Sequence, residues 1–344
     1  MSHLLKTRVF GKHGFYSKYT TRKLVKLLES LDPDIIHLHN LHGYYINVEI
    51  LFNYLAKANK QVVWTLHDCW SFTGCCAHYD FVDCQKWQSE CYNCPQLKVY
   101  YKSWFFDRSK EAYRDKKRLF NSVKSMTIVS PSKWLKGEVD KSFLSKYPLE
   151  VIYNGIDLSL FKPTSSTFRK DNNLQSKFII LGVASVWDQR KGLDHFIQLS
   201  KHLKKDEVII LIGLSKKQLL SLPKNIIGLL RTESASQLAE IYSTCDVYIN
   251  LTLEETLGLT NIEAMACGSP VITFNTGGSP ETIDQNTGIT VKKGSVSEVV
   301  DAISIIKNNG KTFYKEACVR RARDHFSKEA AFSKYIDLYK TLTD

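Results

Sequence analysis

Thr252-Leu-Glu-Glu-Thr-Leu-Gly-Leu-Thr-Asn-Ile-Glu-Ala-Met-Ala-Cys-Gly-Ser-Pro270 is the stretch whose reading decides the fold. It reads as a loop, acidic at Glu254 and Glu255 and loosened at Gly258, that turns into a helix. Thr260 is the expected N-cap, Ile262, Met265 and Ala266 give an apolar face, and Gly268 and Pro270 end the helix. A β-branched and aromatic run precedes it (Asp246–Leu251) and another follows (Val271–Phe274). The unit is therefore strand–loop–helix–strand, with the loop at the carboxyl end of its strand, where open α/β sheets bind ligands.

Two features of this loop favour an anion. The amides of Leu259, Thr260 and Asn261 would point out of the helix start, and the helix dipole adds partial positive charge there. Glu255 and Glu263 flank that place, and carboxylates beside a phosphate would repel it. Accepting hydrogen bonds from sugar hydroxyls suits them better. A nucleotide-sugar offers both partners, a diphosphate for the helix and hydroxyls for the acids. The plainer alternative is a capping box, in which Glu263 ties back to the Thr260 amide and Glu254 and Glu255 are solvated loop acids.

Beyond these residue-level readings, Glu255-Thr-Leu-Gly-Leu-Thr-Asn-Ile-Glu263, continued by Ala-Met-Ala-Cys-Gly-Ser-Pro-Val-Ile, resembles the signature of retaining glycosyltransferases of family 4. The resemblance implies an α/β chain of GT-B architecture: two Rossmann-like domains with parallel sheets facing across a cleft. It implies an enzyme of bacterial surface-polysaccharide synthesis that moves a sugar from a UDP- or GDP-sugar to a lipid-linked saccharide, with no metal in the chemistry. In that reading Glu263 holds the ribose, Glu255 the donor sugar, and Gly258, Leu259 and Thr260 the diphosphate.

The rest of the chain fits this frame. Its 344 residues suffice for two α/β domains, and 43% hydrophobic with 24% charged is ordinary globular composition. The sequence has no apolar run long enough to span a bilayer, and its start lacks the apolar core of a signal peptide. The expectation is a cytoplasmic protein at the inner face of the membrane. The net charge is +12, of which residues 1–150 carry +9, from 23 Lys and Arg against 14 Asp and Glu. Such a surface suits an acidic partner, such as anionic lipid or a pyrophosphate-linked acceptor. Nucleic acid is disfavoured because no basic–aromatic RNA motif accompanies the charge.

In the first half, Asp34–Asn40 and Gln61–Asp68 read as buried strands. His37 and His39 share a strand face but are expected to be packing residues rather than metal ligands. His67, ending its strand, matches the family histidine that reaches the donor sugar. A Cys-rich insert over residues 69–94 follows. Its Cys76, Cys84, Cys91 and Cys94 form a candidate structural zinc site with one Cys-x-x-Cys half; Cys75 and His78 are possible substitutes, with disulfides or free core thiols the alternatives. Asn154-Gly-Ile-Asp157 with Phe161 resembles the family hinge, dividing the chain into domains at 1–160 and 161–344. The family's usual opening of strand, Gly-rich loop and helix is not found, so the N-terminal domain is expected to be incomplete. This leaves an inactive or regulatory subunit, or a zinc-bearing nucleic-acid-binding protein, as rival readings.

In the second half, strands at 177–185, 208–212, 226–230, 247–251 and 271–274 alternate with helices. No G-x-G-x-x-G occurs, which argues against a dinucleotide oxidoreductase. Lys191 before Gly192 matches the family lysine that binds the donor diphosphate. The family's accompanying arginine is replaced by Ser185 or Val186, and Arg190 is the candidate to restore its charge. Gly277-Gly278 let backbone approach the ligand. A last helix over 311–341 is expected to pack back across both domains.

Overall fold

The computed structural model describes residues 2–344, which form two compact units. The first holds the chain up to Ile152 together with Lys334–Asp344, and the second holds Tyr153–Ser333. The last helix, Lys328–Thr343, therefore contributes to both.

The first unit is built on a four-stranded parallel sheet in the order β1-β2-β3-β4, with β1 at Ile35–Leu38, β2 at Gln61–Thr65, β3 at Met126–Ser130 and β4 at Leu149–Val151. Parallel neighbours need long crossovers, and the helices Val48–Ala58 and Ser109–Phe120 provide them. Both faces of such a sheet are covered, which explains why every residue of β3 is buried. The helices bring Phe52 and Phe120 onto Trp64 of β2, at ring separations of 5.4 and 4.9 Å. Against the other face pack Tyr335, Leu338 and Tyr339 of the last helix, meeting Val63, Val129 and Ile152.

The second unit carries six parallel strands in the order β10-β9-β8-β5-β6-β7. Here β5 is Phe178–Val183, β6 Glu207–Ile212, β7 Ile226–Leu229, β8 Val247–Asn250, β9 Val271–Phe274 and β10 Gly288–Val291. The chain winds outward from β5 to β7, then returns to place β8 on the other side of β5. That reversal is the switch point of a doubly wound sheet, and it opens a crevice at the carboxyl ends of β5 and β8. The strand β10 has no counterpart in the sequence reading, because Gly288-Ile-Thr-Val291 is short and offers little alternation.

Several boundaries differ from expectation for identifiable reasons. The expected single helix over 311–341 is two, Lys311–Phe326 and Lys328–Thr343. Ser327 leaves the helix in an extended conformation, and Ile156 takes up the gap by accepting from the Lys328 amide and donating to the Phe326 carbonyl. A Cβ on Gly155 would fall 2.4 Å from the Lys328 Cα, so glycine permits this approach. Among the described residues no helix is long and apolar enough to cross a membrane.

Candidate functional site

The switch point collects the acidic loop, the Lys191 loop and the Gly277 turn. After β5 the chain reaches Asp188-Gln-Arg-Lys-Gly192, and Gly192 adopts φ +78°. A Cβ there would meet the Leu251 carbonyl oxygen at 2.1 Å, so only glycine lets this loop lie against the end of β8. The Arg190 carbonyl oxygen accepts from the Leu253 amide at 2.7 Å and locks the two loops together. As a result the Lys191 Nζ sits 3.1 Å from Glu255 Oε2. On the far side Gly277, at φ +54°, closes on the Glu255 backbone, where a Cβ would lie 1.6 Å from the carbonyl oxygen.

The helix begins differently from the sequence reading. It spans Leu259–Ala266, and Gly258, at φ +89°, is its N-cap, with no side-chain cap bond. Thr260 lies inside the first turn instead. The Asn261 amide is already used, donating to the Gly258 carbonyl oxygen at 3.0 Å. That leaves the Leu259 and Thr260 amides at the helix start, without an intrahelical acceptor by position. The capping box is not formed either: Glu263 Oε2 accepts from the Tyr242 hydroxyl at 3.0 Å. The turn is fixed from beneath by buried Asn261, which bonds Asn250 and Thr282, each at 3.0 Å. Beside it the Ser279 and Thr276 hydroxyls are buried without a hydrogen-bond partner.

The electrostatics separate the two glutamates. Glu263 is largely buried, and desolvation pushes its carboxyl from 4.5 up to about 7 despite the Tyr242 bond. Glu255 instead faces a lysine and remains partly exposed. Arg190 engages Asp188 at 2.6 Å and the buried Glu254 at 3.6 Å. Its guanidinium is thus neutralised by two carboxylates, an arrangement that orders the loop. The residue expected to restore a diphosphate-binding charge therefore faces two acids here, as Lys191 faces Glu255.

In the first unit, His67 follows β2 and its Nε2 lies 3.0 Å from Nδ1 of His39. Burial lowers the pKa of both, and in His67 the charge of His39 lowers it further against the opposing pull of Asp68, so the neutral imidazoles are favoured. His37 continues the row, bonding the Thr65 hydroxyl at 2.8 Å and the Tyr339 hydroxyl. The next turn is pinned by His42 on Asp68 at 2.8 Å. From sequence, His39 is expected to be a packing residue rather than a metal ligand, and its pairing with His67 is not foreseen. The missed signal was the pairing of β1 with β2, which brings the residues after both strands together.

The cysteines also regroup. The three sulfurs that converge within 4.8 Å of one another are those of Cys75, Cys76 and Cys94. Cys84 and Cys91 line the same small pocket but stand outside that trio. Of the set expected from sequence, Cys76 and Cys94 lie in the trio and Cys84 and Cys91 do not, while Cys75 joins because the turn at Gly74 brings adjacent Cys75 and Cys76 onto Cys94.

The second unit is thus a parallel doubly wound sheet with a lysine–glutamate pair at its switch point. Comparison with known proteins gives the family. Residues 4–160 match the model described as Glycosyltransferase Family 4, and residues 164–325 the model described as Glycosyl transferases group 1. The chain belongs to the group 1, family 4 glycosyltransferases, with the GT-B fold.

A glycosyl transferase provisionally assigned to colanic acid biosynthesis in Escherichia coli K12 is 25% identical over 99% of this chain and 84% of its own length. An O-antigen biosynthesis glycosyltransferase of Escherichia coli is 29% identical over 58% of each. Among solved structures, a sucrose-phosphate synthase of Thermosynechococcus elongatus superposes with a TM-score of 0.70 at 20% identity, covering 94% of this chain and 78% of that one. The Anabaena protein HepE, crystallised with UDP, does so at 0.69 and 17%, covering 93% and 82%.

Proposed function

We propose that this transferase is of the retaining type, takes a UDP- or GDP-sugar as donor, and extends a lipid-linked glycan in bacterial surface-polysaccharide synthesis. The carrying observation is the Lys191–Glu255 pair, 3.1 Å apart at the switch point beside the start of the helix Leu259–Ala266. Breaking the bond from sugar to diphosphate puts negative charge on the leaving group. Lys191 and the Leu259 and Thr260 amides, with Gly258 keeping the backbone close, would stabilise that charge where it develops. The partnerless hydroxyls of Thr276 and Ser279 support a polar ligand at this place. Glu255 would accept from hydroxyls of the sugar and Glu263 from those of the ribose. For His67 the proposal carries over the family role, a neutral imidazole bonded to the donor sugar. Support for UDP comes from the Anabaena neighbour crystallised with UDP and UDP-glucose, and support for the setting from the colanic-acid and O-antigen relatives.

Contact with anionic lipid at the inner membrane face belongs to the same proposal. Trp104, Phe105 and Phe106 are 51%, 70% and 50% exposed, and Arg8 and Arg108 stand over the Trp104 and Phe106 rings. Exposed aromatic rings beside arginines suit an anionic bilayer surface.

The test is calorimetric titration with UDP, GDP and their sugars, followed by NMR of the anomeric configuration of the product. One base should bind and Lys191→Ala should weaken it. A folded chain that binds neither base, or a product of inverted configuration, refutes the proposal.

A further inference from the structure

The regrouped cysteines stand apart from the transferase chemistry and need their own account. Cys94 Sγ lies 3.4 Å from Cys75 Sγ and 3.6 Å from Cys76 Sγ. Those separations are longer than a disulfide bond, about 2.05 Å. They are close to the edge of a tetrahedron of sulfurs around zinc, ~3.8 Å for zinc–sulfur distances of about 2.3 Å. Backbone amides already point at the sulfurs, as they do where thiolate ligands are held in place. Gln96 donates to Cys94, and Gly74 donates to Cys91 Sγ at 3.2 Å. The Cys94 backbone is itself anchored, its amide donating to Asp107 Oδ2 at 2.7 Å.

A second observation comes from the neighbouring helix. Lys116 is completely buried, with 0% exposure. Its Nζ donates to the Trp70 carbonyl oxygen at 2.6 Å and lies 3.8 Å from the Trp70 ring centre. No carboxylate forms an ion pair with it among the described residues; burial lowers its pKa to about 7, while Cys75, Cys91, Cys76 and Asp68 act in the opposite direction. An ammonium is rarely buried without an anion nearby. Thiolates would supply that anion. Four thiolates around Zn2+ leave a charge of −2, which one buried lysine halves.

We propose that Cys75, Cys76, Cys91 and Cys94 bind one zinc ion, with Lys116 as the buried counter-charge. Cys91 is chosen as the fourth ligand because it stands two residues before Cys94, lines the same pocket, and is held beside Cys75 by the Gly74 amide. Cys91 stands outside the trio, so its side chain must turn from the Gly74 amide toward the vacant corner for the fourth bond to form. On binding, the metal displaces the thiol protons to water. The site is closed by four protein ligands, so it is structural. It staples the insert that starts directly after His67 and Asp68, where the Cys69 amide donates to the Ala77 carbonyl oxygen.

The experiment is metal analysis of the full chain, purified without a metal-affinity step in reducing buffer. About one zinc per chain is expected, released stoichiometrically when p-mercuribenzoate titrates the thiols. Cobalt substitution should give the thiolate charge-transfer and visible bands of a tetrahedral site. Cys76→Ser and Cys94→Ser should lose the zinc, whereas Cys84→Ser should keep it. Release from the wild-type chain is read without any variant, so a ligand variant that fails to fold leaves the test intact. Substoichiometric metal in folded protein with all thiols freely reactive overturns the proposal. So does a disulfide from Cys94 to Cys75 or Cys76 in the fresh protein. Zinc retained in Cys91→Ser and lost in Cys84→Ser overturns the ligand set.

Discussion

If Glu263 accepts from the donor ribose as proposed, its ionisation should act on donor binding and on stability in opposite directions, and one substitution separates the two. Its folded pKa of about 7 stands above its ordinary 4.5 because it is buried, with Tyr242 as its hydrogen-bond donor. A raised acid favours the folded state while it is protonated. Its contribution is therefore intact below pH 4.5 and is lost as the pH rises toward 7. The difference of pKa corresponds to about 3 kcal/mol against the fold at pH 8. Glu263→Gln keeps the shape and removes the ionisation. It should raise the melting temperature at pH 8, by a few degrees, and leave it nearly unchanged at pH 5.

Donor binding should respond the other way. A ribose hydroxyl donates best to a carboxylate, and the ionised fraction falls from ~90% at pH 8 to ~10% at pH 6 for a pKa near 7. The dissociation constant for the donor nucleotide should rise about tenfold over that span, equivalent to ~1.4 kcal/mol. Differential scanning fluorimetry at pH 5 and 8, with calorimetric titration at pH 6, 7 and 8, reads both quantities. A wild-type binding profile flat from pH 6 to 8 would refute the reasoning. So would a Glu263→Gln variant that keeps the wild-type slope.

Three further outcomes follow from the same geometry. Lys191→Ala should leave the melting temperature within a degree or two, because the side chain is 40% exposed; transfer assays should show kcat/KM down by roughly 10²–10³ if the lysine stabilises the leaving diphosphate. Gly192→Ala adds a methyl group 2.1 Å from the Leu251 carbonyl oxygen at φ +78°; it should cost at least 1–3 kcal/mol in urea unfolding, an order-of-magnitude figure for a strained residue, and weaken donor binding with it. His39→Phe removes the 3.0 Å partner of His67 while keeping a ring; activity should fall without change in donor affinity, and equal activity at every pH would show that His67 needs no positioning from His39.

What the sequence alone determined is local and periodic. The strand–loop–helix–strand unit around Glu255 and Glu263 could be read because β-branched runs, Gly258 and Gly268 have meaning within a few residues of themselves. The same holds for the alternation that makes the second unit parallel, and for the Lys191-Gly192 turn. Tertiary structure decided what depends on residues far apart in the chain. Glu263 bonds Tyr242 instead of its own helix start, because β8 brings the preceding helix alongside. Arg190 is taken by Asp188 and Glu254 because Gly192 docks its loop on Leu251. His39 meets His67 because β1 pairs with β2 in parallel, so that strand ends align. Cys75 joins Cys94 across a turn whose course no spacing rule prescribes. Propensity acts within a turn of helix or a strand, whereas hydrogen-bond partners and clustered sulfurs are chosen by packing, and packing is settled only when the whole sheet has formed.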